Sequence, residues 1–472
     1  MFSFSALNLG CSKNLVDLEF AIGEILKYAD TVPMEYFDTP EDPEVEYVIV
    51  NTCGFLSSAR EESEATLQYY DDLGKKLILM GCYISVKDDA FLASLKHLFM
   101  IVPFMSYSVI EEILLGKKSK FNLSALVGAK QAQKQSKEKT LHTYLSALWG
   151  DHRTKKAFVW KWDEVRAYIH APYRYEYLKI AEGCDNTCTF CIIPRIRGRQ
   201  NSRKKEDILR EVQTLFENGI CEIEIISQDT TRYGVDIYGS SELFTLLEAI
   251  ESECERYETK HPWSRVRYRV FYLYPDTLTM EHLEKMSALR HLLPYFDIPF
   301  QHASEKILKL MGRHYDRSHI DTLLEKVRNT FSDAFIRTSF IIGFPWETEN
   351  DFQELMDFVK KNRFESVGIF QYHDEPLAAS SKLGNKIEDR IAKDRIARIN
   401  TLLNGIYEEH AIASRGMISW GYIMEVWDLK KDYTIRREIA APEIDEYDRV
   451  RRWAIDKKGT VSIGEYVTYT LP

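Results

Sequence analysis

Short apolar, β-branched runs alternate with segments of helical periodicity in two separate blocks of this chain, and this alternation constrains the fold most. In the first block, Phe4–Leu9, Glu46–Val50 and Lys76–Met80 read as strands. Strands buried on both faces of a parallel sheet appear as continuous apolar runs. Between them, Leu15, Leu18, Ala21, Ile22, Ile25 and Leu26 share one face of a helix over Leu15–Tyr28, and a second helix is expected from about Ser57 to Tyr70. A βαβαβ order of this kind predicts an α/β domain with a doubly wound parallel sheet.

The second block begins near Tyr173. Strands are expected at Tyr177–Ala181, Glu222–Ile226, Arg269–Leu273, Tyr295–Ile298, Ile336–Ile342 and Ser366–Gln371, and a helix over Glu206–Asn218 closes on Gly219. Six strands with intervening helices suit a partial (βα)6 barrel, short of the eight of a closed one. From Met417 the helical periodicity stops. Short alternating runs at Tyr422–Val426 and Tyr466–Leu471 suggest a small β-barrel of the OB type. The expected divisions are residues 1–115, an insertion and linker over 116–172, residues 173–412, and a tail over 413–472.

Within the insertion, residues 117–140 carry seven Lys against one Glu, which reads as a solvated linker, or else as a contact for rRNA or an acidic partner. Over the tail the charges nearly balance, and the whole chain is acidic at −10, so no global attraction to nucleic acid is expected. No apolar run approaches the roughly 20 residues of a membrane span. The first residues lack the basic and apolar regions of a signal peptide, so a cytoplasmic protein is expected.

In a reducing compartment, eight cysteines are not a disulfide framework. Cys184, Cys188 and Cys191 lie in "GCDNTCTFC" directly after a predicted strand, which sets three thiols on one tight loop. Structural zinc would need a fourth ligand, and no His or Cys follows at finger-like spacing. A cubane iron–sulfur cluster can use three thiolates and leave one iron open. Cys11, Cys53 and Cys82 are scattered, yet each follows a predicted strand by a few residues and has a glycine beside it (Gly10, Gly54, Gly81). Loops at strand C-termini meet in one crevice of a doubly wound sheet, so a second three-cysteine site is expected there. Cys221 and Cys254 have no such setting and read as core residues.

These motifs resemble a known family. "GCDNTCTFCIIPRIRG" (183–198) is similar to the radical S-adenosylmethionine signature, and "LGCSKNLVDLE", "VNTCGFLSSAREES" and "MGCY" resemble the amino-terminal domain of the methylthiotransferases. The resemblance covers nearly the whole chain apart from the Lys-rich insertion. One branch of that family modifies an adenosine of tRNA. The other acts on the β-carbon of an aspartate in small-subunit ribosomal protein twelve. "QDTTRYG" (228–234), "IPRIRG", "FDIPFQHAS" (296–304) and "APEID" (441–445) favour the second branch.

The resemblance implies two 4Fe-4S clusters, one on Cys11, Cys53 and Cys82 and one on Cys184, Cys188 and Cys191. The second would bind S-adenosylmethionine for reductive cleavage, the first would supply sulfur, and a second S-adenosylmethionine would give the methyl group. Phe190, Gln228, Arg337 and Gly343 would line the S-adenosylmethionine pocket, against the plainer readings of Phe190 as core and Arg337 as an ion-pairing residue. His302 is expected to be structural, and no side chain beyond the cluster ligands is singled out as catalytic. Implied partners are ribosomal protein twelve or the small subunit and a low-potential electron donor of flavodoxin or ferredoxin type, with direct RNA binding left open. The tail resembles a TRAM domain. Trp346 stands where the family commonly has Gly, and Ala440 and Glu446 flank "APEID" where Asp and Gly are more frequent. The alternatives are a tRNA methylthiotransferase and a non-catalytic iron–sulfur protein of the ribosome.

Overall fold

The computed structural model describes residues 1–104, 107–110, 114, 166–169, 171–427, 432–457 and 461–472; the Lys-rich stretch at 117–140 lies outside them. Two compact units form, one from residues 1–171 with 192–199 and one from 172–191 with 200–472.

The first unit holds a five-stranded, all-parallel sheet in the order β2-β1-β3-β4-β5, made by β1 (Phe2–Asn8), β2 (Met34–Tyr36), β3 (Tyr47–Thr52), β4 (Lys76–Gly81) and β5 (Leu98–Ile101). Its three central strands are the expected ones. The two that the sequence did not announce are short edge strands. Side chains alternate across the sheet as the pleat requires. Val48, Val50, Leu77 and Leu79 pack with Leu67 and Tyr70 of α2 (Ser57–Asp72) and Leu92 of α3 (Asp89–Ser94). On the other face, Ile49, Ile78 and Met80 meet Leu18, Ala21, Ile22 and Ile25 of α1 (Ser12–Leu26). The sheet is therefore covered on both faces, as a doubly wound arrangement demands.

In the second unit, six parallel strands form one open sheet in the order β13-β12-β11-β10-β9-β6. They are β6 (Tyr175–Lys179), β9 (Glu222–Ile226), β10 (Arg267–Val270), β11 (Leu292–Asp297), β12 (Phe335–Ile342) and β13 (Ser366–Gln371), and a two-residue ribbon pairs β7 (Ala181–Glu182) with β8 (Asn201–Ser202). Strand β10 stops at Val270 rather than at the expected Leu273. Tyr272 takes a left-handed φ of 58°, and its N–H donates to the Asp297 carboxylate at 3.0 Å instead of continuing the ladder.

A 26-residue helix, Asp389–Ser414, leads to the tail. There β14 (Ile418–Trp427), β15 (Asp432–Arg437), β16 (Asp448–Arg451) and β17 (Tyr466–Thr470) make an antiparallel sheet in the order β16-β15-β14-β17, around Ile423, Tyr433, Ile435, Val467 and Tyr469. Within this unit the tail docks on the six-stranded sheet through buried charge. Glu222, the first residue of β9, accepts from Arg436 of β15 at 2.6 and 2.9 Å. Arg269 of β10 also pairs with Glu222 and donates to the Glu438 and Ile439 carbonyls at 2.8 and 3.0 Å. The Tyr177 hydroxyl donates to Glu443 at 2.9 Å. Among the described residues no helix is long and apolar enough to cross a membrane.

Candidate cluster sites

Strands β1, β3 and β4 are neighbours in the first sheet, and each is followed by one cysteine. Cys11 precedes α1, Cys53 lies between β3 and α2, and Cys82 opens a short 3-10 turn after β4. Adjacent parallel strands end on the same edge, so the three loops meet as expected at the carboxyl side of the sheet. Asn14, one turn into α1, sits at the meeting point. Its Oδ1 lies 3.6 Å from the Cys11 sulfur and 3.5 Å from that of Cys82, and accepts from Arg197 at 2.7 Å. Its amide donates to the Thr52 carbonyl at 3.0 Å.

Arg197 is buried and completes this group: Nε donates toward the Cys82 sulfur at 3.3 Å, Nη1 pairs with Asp17 at 3.1 Å, and the guanidinium lies 4.6 Å from the Phe104 ring centre. Burial pushes the Cys82 thiol up to about 11, although the Arg197 charge opposes it. Desolvation also raises Cys53. For Cys11, desolvation is outweighed by Lys13, Arg197 and backbone N–H groups, and its thiol sits below the ordinary value.

The glycines beside these cysteines stand where the loops pack closely on one another. A Cβ on Gly10 would run into the Asn14 side chain, one on Gly54 would lie 2.7 Å from the Cys82 carbonyl oxygen, and one on Gly81 (φ 98°) would run into the Thr52 carbonyl oxygen. They make room for the protein's own loops to converge.

The second set lies on one loop directly after β7. Cys184 is buried, whereas Cys188 and Cys191 are half-buried. The Asn186 N–H points at the Cys184 sulfur at 3.4 Å, and its side chain donates to Asp229 at 2.6 Å. Thr189 clamps the loop through its N–H to the Met311 carbonyl at 2.9 Å and its hydroxyl to the Leu310 carbonyl at 2.8 Å. Gly312 allows that approach, because a Cβ there would lie 2.8 Å from the Thr187 oxygen. Arg313 follows, with Nη1 3.6 Å from the Cys188 sulfur. Burial pushes the Cys184 thiol up to about 11.

Of the other expected site residues, Phe190 packs on an apolar cluster of Ile307, Met311 and Phe344. Gly343 lies beside that cluster in a left-handed turn (φ 79°), where its N–H and that of Phe344 donate to Glu347 at 2.9 and 3.3 Å. Gln228 donates to Glu182 at 2.8 Å, and Arg337 pairs with Asp297 across β12 and β11 at 2.6 Å. Phe190 and the Gly343 turn thus come together, whereas Gln228 and Arg337 have their contacts elsewhere. His302 is fully buried, takes the Ser304 N–H on Nδ1 at 3.0 Å and lies 3.6 Å from Glu347. Cys221 and Cys254 are buried, as expected. Asn14, Arg197 and Arg313 were not singled out from sequence. Asn14 and Arg197 lie inside the quoted motifs "LGCSKNLVDLE" and "IPRIRG", whereas Arg313 lies in none.

Among the described residues no three His, Cys, Asp or Glu side chains close on a single point as ligands of one metal ion would. Three thiols in each set are a donor set of the kind a cubane iron–sulfur cluster takes, one thiolate to an iron.

Two family models match the chain: the radical SAM superfamily over residues 178–359 and the uncharacterized protein family UPF0004 over residues 4–102. The chain is 33% identical to the ribosomal protein uS12 methylthiotransferase RimO of Clostridioides difficile, over 99% of this chain and 96% of that one. It is 34% identical to the protein of that name from Thermosynechococcus vestitus, over 93% and 89%. Among solved structures, the radical S-adenosylmethionine methyltransferase TsrM of Kitasatospora setae superposes with a TM-score of 0.55 at 12% identity, covering 80% of this chain and 77% of that one, a likeness of fold alone. With both cysteine sets lying within the matched regions, the chain belongs to the ribosomal protein uS12 methylthiotransferase (RimO) family of radical SAM enzymes.

Proposed function

We propose that this chain adds a methylthio group to the β-carbon of an aspartate in ribosomal protein uS12. Cys11, Cys53 and Cys82 hold one 4Fe-4S cluster and Cys184, Cys188 and Cys191 the other. The observation that carries the reading is that both sets stand at the carboxyl side of a parallel sheet, each with three sulfurs and no fourth cysteine. Bound there, the clusters and S-adenosylmethionine supply the reductive cleavage and the sulfur and methyl groups that no protein side chain can. The chain's own residues orient and shield. Asn14 and Arg197 fix the Cys11 and Cys82 side chains, Thr189 and Gly312 hold the second loop in place, and Phe190 with the Gly343 turn walls one side of the cofactor pocket. Gln228, held by Glu182, and Arg337, held by Asp297, are assigned to the same pocket by the family resemblance alone.

On this reading the divisions remain 1–115, 116–172, 173–412 and 413–472. The tail is a TRAM-like, OB-type module that docks the substrate protein. A low-potential flavodoxin or ferredoxin supplies electrons, and the enzyme works in the cytoplasm beside the ribosome. Intact-mass analysis of uS12 from cells with and without this gene tests it: the added methylthio mass is expected only with the gene. Unchanged uS12 together with loss of methylthio-adenosine from bulk tRNA would place the chain in the tRNA branch instead.

A further inference from the structure

Six arginines are buried among the described residues. Five pair with a carboxylate: Arg166 with Glu19 at 2.6 Å, Arg197 with Asp17 at 3.1 Å, Arg395 with Glu347 at 2.7 Å, and Arg269 and Arg436 with Glu222. Among the described residues Arg313 has no carboxylate within ion-pair distance. Its Nη2 donates to the Pro299 carbonyl at 2.7 Å, its Nη1 faces the Cys188 sulfur at 3.6 Å, and its Nε is buried with no hydrogen-bond partner. The guanidinium lies 4.5 Å from the Tyr274 ring centre and 5.6 Å from that of Tyr315, whose hydroxyl donates to the Phe300 carbonyl. Asp229, the carboxylate that senses this charge, is held by Asn186 and Thr231 instead.

A buried guanidinium without a counter-ion is costly unless another anion neutralises it. Three cysteine thiolates leave a cubane cluster with net negative charge, and the charge grows by one when the cluster takes an electron. We propose that Arg313 is the counter-charge of the cluster on Cys184, Cys188 and Cys191: a positioning residue that holds Cys188 and favours the reduced state. The inference rests on the cluster assignment made above. The electron comes from the low-potential flavodoxin or ferredoxin-type donor and stays on iron, and no bond forms or breaks in this step.

The other cysteine set sharpens the point. Arg197 donates toward Cys82 just as Arg313 does toward Cys188, but it also pairs with Asp17, which offsets part of its charge. Two clusters of one type in one protein thereby acquire different surroundings, and the one that must be reduced for S-adenosylmethionine cleavage carries the unbalanced cation.

A redox titration followed by electron paramagnetic resonance tests this on the anaerobically reconstituted full-length protein and its Arg313→Gln and Arg313→Lys variants. The radical cluster is identified as the signal that responds to added S-adenosylmethionine. With Gln, iron content stays at the unsubstituted level, and at a fixed potential the reduced-to-oxidised ratio of that cluster falls about tenfold or more, as expected for losing one nearby charge at low dielectric. The other cluster does not move, and Lys keeps most of the unsubstituted ratio. An unchanged ratio with Gln, a fall with Lys as deep as with Gln, or equal movement of both clusters would overturn the proposal. A protein without any signal responsive to S-adenosylmethionine would overturn the cluster assignment itself, and this inference with it.

Discussion

Trp346 sits at φ 72° in the turn that follows Gly343, with 46% of its surface exposed. The left-handed region costs a residue with a Cβ about 1–2 kcal/mol, and glycine almost nothing. That is a physical reason to expect glycine in a turn of this kind. Trp346→Gly should therefore raise stability by about 1 kcal/mol in denaturant unfolding, less whatever the indole gains beside Gly384. A lower midpoint would mean that this ring contact outweighs the strain. The six cysteines were legible as candidates at this scale because what marks them is local spacing and position after strands. Arg197 and Arg313 were not: the sulfurs they face are 115 and 125 residues away in sequence, and no periodicity links such positions.

The helix Glu349–Asn362 begins with a capping box in which Thr348 and Asp351 satisfy each other's backbone N–H groups. Asp351 also accepts from the Ser304 hydroxyl at 2.7 Å and pairs with Lys306, so this cap anchors the "FQHAS" segment as well. Burial would raise its carboxyl, but Lys306, Thr348 and Ser304 outweigh that and hold it well below the usual range. A carboxyl depressed in the folded state contributes its full stability above the unfolded pKa of about 3.9 and loses it as pH falls through the lower folded value. Asp351→Asn should thus cost about 1–2 kcal/mol at pH 7, and the gap from the unsubstituted protein should narrow below about pH 4 in urea unfolding at graded pH. A gap that stays constant with pH would show that geometry rather than charge is at work. Among the strands, central ones were legible as continuous apolar runs. Met34–Tyr36 and Leu98–Ile101 were not, since a short edge strand needs neither a long run nor a clean alternation.

Across the second unit, the tail and the six-stranded sheet share a buried set of charges in which Glu222 is paired by both Arg436 and Arg269. Burial would raise Glu222, but the two arginines hold it below its ordinary value, whereas desolvation pushes the adjacent Glu224 well up. Removing one partner of such a group leaves an uncompensated charge, so Arg436→Met should destabilise by about 3–5 kcal/mol and speed proteolysis of the tail at Met417–Pro472; an unchanged melting profile would show that the docking does not depend on this pair. Nothing local announced it, because Glu222 and Arg436 lie 214 residues apart. What the sequence did show at this scale was two cysteine sets, each following strands of a parallel sheet; the division of labour proposed between them is the central claim. Its most direct measurement is 5′-deoxyadenosine formation from S-adenosylmethionine by the reconstituted full-length protein carrying Cys53→Ala or Cys184→Ala, with methylthio transfer to uS12 read by mass in the same samples. Cys184→Ala should abolish both, and Cys53→Ala should keep cleavage measurable while transfer stops; equal loss of cleavage in two folded variants would contradict the account.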